Sequence, residues 1–175
     1  LVKWAFYFDE REIVGKNQTQ ILAMVTAIFV GITLFSVVNA KTPQENKLAG
    51  VAFLTANAKN PTIITTKSGL QYEVITPGTG NKSPTLADTV TVNYRGTKID
   101  GQEFDSSYAH GEPATFPVNA LITGWTEGLL FMKEGAKYRF YIPSELAYGE
   151  AGGGAVEPNE ALVFDVELLK IKQPE

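Results

Sequence analysis

The 175-residue chain contains no cysteine. That excludes disulfides, zinc–thiolate centres, thiol nucleophiles and lipid attachment through a cysteine. An oxidising compartment is tolerated but not required. Histidine is almost absent as well: His110 is the single one. A Ser-His-Asp triad could draw only on this residue. Its setting, after Tyr108-Ala109 and before Gly111-Glu112-Pro113, reads as a loop. A loop histidine with no fixed partner is a poor general base, so His110 reads as a surface residue. Charged residues make up only 19% of the chain, with a net charge of −4 and no Lys/Arg run. A nucleic-acid partner is therefore not expected. No His/Asp/Glu cluster has metal-ligand spacing, and neither a metal nor another cofactor is expected. Gly78-Thr79-Gly80-Asn81-Lys82-Ser83 lacks the glycine that a phosphate loop places directly before Lys-Ser. The glycine-rich stretch Gly149-Glu150-Ala151-Gly152-Gly153-Gly154 does not fit a dinucleotide fingerprint and reads as a mobile surface loop.

What is present is an ordinary globular composition, 44% hydrophobic, suited to one domain with an extension. Residues 21–38 are uncharged and apolar, long enough to cross a bilayer, which takes about 20 residues. An uncleaved anchor and a secretory signal peptide compete. Val38-Asn39-Ala40 offers compact residues at a signal-peptidase site, Lys16 supplies the positive flank, and polar Lys41-Thr42-Pro43-Gln44 follows. The reading is therefore a signal peptide region at 1–40, cleaved near Ala40, and a periplasmic or secreted bacterial protein. The length of the apolar run keeps the anchor open. In that case the membrane is engaged only through the uncleaved segment. Residues 1–13 are aromatic and acidic, unlike the start of a signal peptide. Translation from about Val14 would leave Gly15-Lys16-Asn17-Gln18 as a short basic leader and residues 1–13 untranslated. Removing residues 1–40 leaves the net charge at −4.

Residues 44–60 have helical spacing, with Leu48, Val51 and Leu54/Thr55 on one side and Ala52 and Phe53 beside them. Pro61 stops the pattern. A helix of this length is marginal alone, so it either docks or frays. Residues 41–66 read as a short helical linker and 67–175 as the main domain. From Gly69 the period changes to two. Leu70, Tyr72 and Val74 alternate, as do Val90, Val92 and Tyr94. Asp100-Gly101 is a hairpin signal that returns Glu103-Phe104-Asp105 as a strand. Ala114 to Val118, Tyr138 to Ile142 and Ala161 to Ile171 complete the strands. Trp125, Leu129 and Leu130 predict one short helix over roughly 120–131, ending near Gly135. A short helix across a curved antiparallel sheet is an α+β architecture.

Taken singly, each aromatic in the strand region reads as core. As an ordered set they carry more. Val92-Asn93-Tyr94-Arg95-Gly96, Phe104-Asp105-Ser106-Ser107, Gly124-Trp125-Thr126-Glu127-Gly128, Leu146-Ala147-Tyr148-Gly149 and Leu162-Val163-Phe164-Asp165 together resemble the FKBP family of peptidyl-prolyl cis-trans isomerases. The resemblance runs from about Ser68 to Lys172. It is closest to the bacterial branch that includes the macrophage infectivity potentiator proteins, through Ser68 to Tyr72, Pro113 to Phe116 and Glu157 to Asn159.

The resemblance implies a half-barrel of about five strands wrapped around the helix, and Xaa-Pro bond isomerisation with no cofactor. It implies Trp125 as the floor under the proline ring and Tyr94, Phe104 and Phe164 as walls. Leu121 and Ile122 would border the pocket, with the Ile122 N–H donating to a substrate carbonyl. Tyr148 would donate a second hydrogen bond. Asp105 would act on the carbonyl region or hold a wall residue. Ala155 and Val156 would close over the residue before proline. Asp105, Tyr148, Phe104 and Trp125 would carry catalysis. The implied partners are proline-containing unfolded or exported polypeptides and macrolide inhibitors, for a monomer or weak dimer. The sequence departs from the family at three places. Ala114 follows Pro113 where many members have an aromatic. His110 stands where many carry a basic residue paired with the pocket aspartate. Ala120 replaces a polar residue that helps hold macrolides. A chaperone-like peptide-binding module with dispensable catalysis stays open as the alternative.

Overall fold

A computed structural model describes residues 41–174. The export segment at 1–40, its apolar run, the cleavage near Ala40 and the late start lie outside the described residues. Among the described residues, no helix is long and apolar enough to cross a membrane.

Helix α1 spans Pro43–Asn57. Thr42 caps it: its hydroxyl accepts from the Glu45 N–H at 3.2 Å, and the Glu45 carboxylate accepts from the Thr42 N–H at 2.7 Å. This reciprocal box, with Pro43 at the first helical position, satisfies otherwise unpaired N–H groups. The helix docks rather than frays, but not on the face that periodicity singles out. Leu48 and Val51 are 60% and 56% exposed, whereas Asn46 and Gly50 are buried. Close approach explains the inversion. A Cβ on Gly50 would lie 2.9 Å from the Ala161 Cβ, so only glycine lets the helix settle there. Polar groups complete the seam. Asn46 Nδ2 donates to the Pro158 carbonyl at 3.1 Å, Gln71 Nε2 to the Leu54 carbonyl at 2.9 Å, and Asn57 Nδ2 to Gln71 Oε1 at 2.8 Å. The segment from Thr42 onward forms one compact unit.

Seven antiparallel strands follow: β1 (Ile64–Thr65), β2 (Gln71–Pro77), β3 (Thr89–Lys98), β4 (Glu103–Ser106), β5 (Ala114–Pro117), β6 (Ala136–Ile142) and β7 (Leu162–Lys172). Their order is β1-β2-β6-β7-β3-β4, with β5 also on β3. The first half of β3 pairs with β5 and the second half with β4. Register shifts interrupt β2, β3 and their partners; such bulges bend and twist a sheet. The sheet is curved and unclosed, with more strands than the five expected, because β1 and β5 are short additions.

One-turn helix α2 (Ser107–His110) and α3 (Thr123–Leu129) complete the three α-helices among the described residues. A 3₁₀ turn at Val118–Ala120 precedes α3, so the expected helix 120–131 is trimmed at both ends. Helix α3 packs on β6 through glycine. A Cβ on Gly124 would lie 2.5 Å from Ile142, and one on Gly128 2.6 Å from the Phe140 ring. The alternating strand residues Val90, Val92, Phe140, Ile142, Leu162, Val166 and Leu168 are fully buried and form one core with Leu129 and Met132. This core fixes the helix, and with it Trp125.

Candidate functional site

A cleft of about 370 Å³ is lined by Tyr94, Asp105, Phe116, Ala120, Leu121, Ile122, Trp125, Tyr148 and Phe164. Its residues are gathered from several elements between Tyr94 and Phe164. Tyr94 lies on β3, Asp105 on β4, Phe116 on β5, Trp125 on α3 and Phe164 on β7. Leu121 and Ile122 form the short link into α3, and the Ile122 carbonyl accepts from the N–H groups of Trp125 and Thr126, both at 3.0 Å. That start of the helix orients the indole.

Trp125 is 3% exposed. Three rings meet it nearly at right angles: Tyr94 at 5.4 Å, Phe164 at 5.3 Å and Phe116 at 6.4 Å between centroids. Edge-to-face contacts of this kind suit the ring quadrupole. The indole Nε1 is buried without a hydrogen-bond partner, the single such side-chain atom among the described residues. Leaving a buried donor unmet costs about 1–3 kcal/mol, so ring packing rather than polar anchoring holds the indole in place.

Asp105 is the lone acid lining the cleft. Its two oxygens are used separately. Oδ2 accepts from the Tyr94 hydroxyl at 2.7 Å, and Oδ1 lies 3.0 Å from His110 Nε2. Burial, and then the hydrogen bond and charge of Asp105, push the Tyr94 phenol well above its ordinary value. Burial and the Asp105 charge also raise Tyr148. The phenols therefore stay protonated and available as donors.

The structure brings together Tyr94, Asp105, Leu121, Ile122, Trp125, Tyr148 and Phe164 as the sequence predicts. Three expected residues lie elsewhere. Phe104 does not line the cleft; it packs edge-on against Phe164 at 5.5 Å. Val156 is 5% exposed and belongs to the core. Ala155 is exposed. Neither lines the cleft, because the glycine-rich stretch folds into a tight turn in which Gly153 and Val156 exchange backbone hydrogen bonds at 2.9 Å. Phe116 is an addition; its alternation with Ala114 on a short strand was the available signal. His110 also corrects its sequence reading. It is exposed, but it ends α2, which Ser106 caps by accepting from the Ala109 N–H at 3.1 Å, and it has a fixed partner in Asp105.

A larger groove of about 570 Å³ runs along Gly80–Ser83, Asp88 and Glu134. Its acids are already engaged: Asp88 accepts from the Thr85 N–H and hydroxyl, and Glu134 from the Ile171 N–H. Among the described residues, no group of three or more His, Asp or Glu side chains is placed to hold a metal. The aromatic cleft is the chemically distinctive site.

Comparison with known proteins places this geometry. A family model described as FKBP-type peptidyl-prolyl cis-trans isomerase matches residues 80–169. A second, described as the domain amino terminal to FKBP-type peptidyl-prolyl isomerase, matches residues 10–74. FkpA of Aeromonas hydrophila, an FKBP-type peptidyl-prolyl cis-trans isomerase, is 54% identical over 130 residues, covering 74% of this chain and 48% of that protein. The outer membrane protein MIP of Legionella longbeachae is 43% identical over 164 residues, covering 93% and 66%. The crystal structure of FkpA from Escherichia coli superposes with a TM-score of 0.73 at 37% identity, covering 95% of this chain and 83% of that one. The chain spans about half the length of several curated relatives it matches.

Proposed function

The chain belongs to the FKBP-type peptidyl-prolyl cis-trans isomerase family, and we propose that it rotates Xaa-Pro bonds in exported polypeptides by holding the twisted amide in the aromatic cleft. The uncatalysed barrier is about 18–20 kcal/mol, because the C–N bond has partial double-bond character. Twisting abolishes the resonance and leaves a less polar carbonyl. An apolar, dry cleft therefore favours the twisted state over the planar amide, which prefers water. No nucleophile is required.

The observation that carries this reading is Trp125, held flat by three perpendicular rings beside a single tethered acid. The proline ring lies on the indole, against Tyr94, Phe116 and Phe164. The Ile122 N–H and the Tyr148 hydroxyl donate to substrate carbonyls. Asp105 fixes the Tyr94 wall and sets the field at the reacting carbonyl. Phe104 supports Phe164 edge-on. Stabilising the twist by a few kcal/mol, at about 1.4 kcal/mol per tenfold, gives useful acceleration. Proline-containing chains emerging into a periplasmic or extracellular space are the substrates, with macrolides as candidate competing ligands.

The test is exchange NMR or a protease-coupled assay on an Ala-Leu-Pro-Phe peptide. Acceleration at micromolar protein is expected. Peptide binding without acceleration would leave a binding module in its place.

A further inference from the structure

We propose that His110 is a positioning residue for Asp105, and that the charge on its imidazole makes the isomerase respond to pH. The inference rests on the isomerase reading and adds to it a control built into this chain.

Asp105 is held from two sides. Tyr94 donates to Oδ2 from inside the cleft at 2.7 Å, and His110 meets Oδ1 from outside at 3.0 Å. The inner contact stays constant across ordinary pH, because the buried phenol keeps its proton. The outer one does not. An imidazolium donates from both nitrogens and carries a full charge; a neutral imidazole keeps one donor and loses the charge. The His110 side chain is 66% exposed and that of Asp105 44%, so water competes for the carboxylate once the charge is gone.

The neighbouring groups leave His110 as the one side chain that changes. On β3, Tyr94 is spoken for and Arg95 pairs with Glu103 at 2.6 Å. On β4, the Glu103 carboxyl is held below its ordinary value by hydrogen bonds from Arg95 and Ser106. Across the cleft, Tyr148 is raised by burial and by Asp105. Tyr108 on α2 and Glu112 just beyond it are the other titratable side chains near the imidazole in sequence. The chain has no second histidine and no cysteine. Histidine is the side-chain type whose ordinary charge change falls between about pH 5 and 8, and the imidazole beside Asp105 is the one this chain has.

The expected behaviour is a kcat/KM that is higher below the imidazole transition and falls about two- to fivefold above it, the size of an exposed ion pair. Salt at about 1 M screens the pair and flattens the step. The experiment measures peptide exchange on the wild type, His110→Arg and His110→Gln from pH 5 to 8.5, and follows the His110 ring resonances on the same pH axis. In the wild type the kinetic and ring midpoints coincide. His110→Arg holds the upper plateau throughout, and His110→Gln the lower one. A wild-type profile with no step, or a step that persists in both variants, overturns the inference while leaving the isomerase reading intact. A wild type with no activity at any pH overturns both. A merely structural histidine would change melting temperature in the variants without removing the step.

Discussion

Tyr94 and Asp105 are joined by a 2.7 Å hydrogen bond from phenol to carboxylate, which ties a wall of the cleft to the acid at its rim. The partners sit on adjacent strands, β3 and β4, and no main-chain contact between them is needed to set the side-chain geometry. A change at either residue should therefore be felt in substrate turnover before it is felt in stability.

Asp105→Ala tests this directly. The acid is partly exposed, and losing the hydrogen bond it accepts from Tyr94 costs about 1 kcal/mol of stability. We expect kcat/KM to fall roughly tenfold or more, a loss of about 1.4 kcal/mol per tenfold in the transition state, with melting within a few degrees of wild type. Unchanged turnover with an unchanged melting temperature would remove Asp105 from the mechanism.

Trp125→Ala should damage fold and binding together. Truncating a buried tryptophan costs about 3–5 kcal/mol, and three perpendicular rings lose their common partner. Urea denaturation and peptide titration by NMR measure the two effects. Normal peptide affinity in a folded variant would show that the indole is not the floor.

Alkaline pH should weaken the fold with a definite sign. Tyr94, Tyr138, Tyr141 and Tyr148 are all raised, burial being the largest cause in each. Above the ordinary phenol value of about 10, the unfolded chain has released protons that the folded chain keeps. Stability is therefore fully present below about pH 10 and is lost as pH rises beyond it. Denaturant midpoints measured from pH 9 to 11.5 should fall, and Tyr94→Phe should make the fall shallower. A flat profile would contradict the burial of these phenols.

Gly50→Val should lift α1 away from β7. The added side chain meets Ala161 at a distance no packed Cβ tolerates, and overpacking costs about 1–3 kcal/mol. Amide exchange across residues 43–57 should accelerate, while peptide isomerisation stays near wild type because the cleft lies on other elements. Protection of those amides at wild-type levels would show that the seam accommodates the side chain.

Export provides a further check. Expressed in a bacterial host, the protein should mature to an N-terminus at Lys41, because an apolar run with a positive flank and a small-residue end is what the secretion machinery cuts. N-terminal sequencing of the periplasmic fraction decides it. Full-length chain in the membrane fraction after high-salt washing would establish residues 21–38 as an anchor.

The strands were legible because burial alternates along them. Val90, Val92 and Tyr94 all point inward, and Asp100-Gly101 turns where expected, with Gly101 at φ 88°. The cleft was legible only as an ordered set of motifs, since no local pattern distinguishes a ring facing a cleft from a ring facing the core. That same limit misplaced Phe104 and Val156 and passed over Phe116. The docked face of α1 was hidden for a different reason. Its contacts are made by glycine and asparagine, which carry no hydrophobic signal, while Leu48 and Val51 carry the signal and face outward. His110 is exposed as expected, but the one-turn helix that holds it beside Asp105, five residues back, is too short to announce itself.

The position of β7 sets an order of events. This strand runs between β6 and β3. Without residues 162–172, β1, β2 and β6 form one fragment and β3, β4 and β5 another, with no shared edge. A chain lacking these residues thus carries two unjoined pieces, each with an unpaired edge open to wrong partners. Joining them requires contacts between residues some 70 positions apart, which are slow to find. Completion of the sheet waits for residues 162–172, and losing them would separate the two halves.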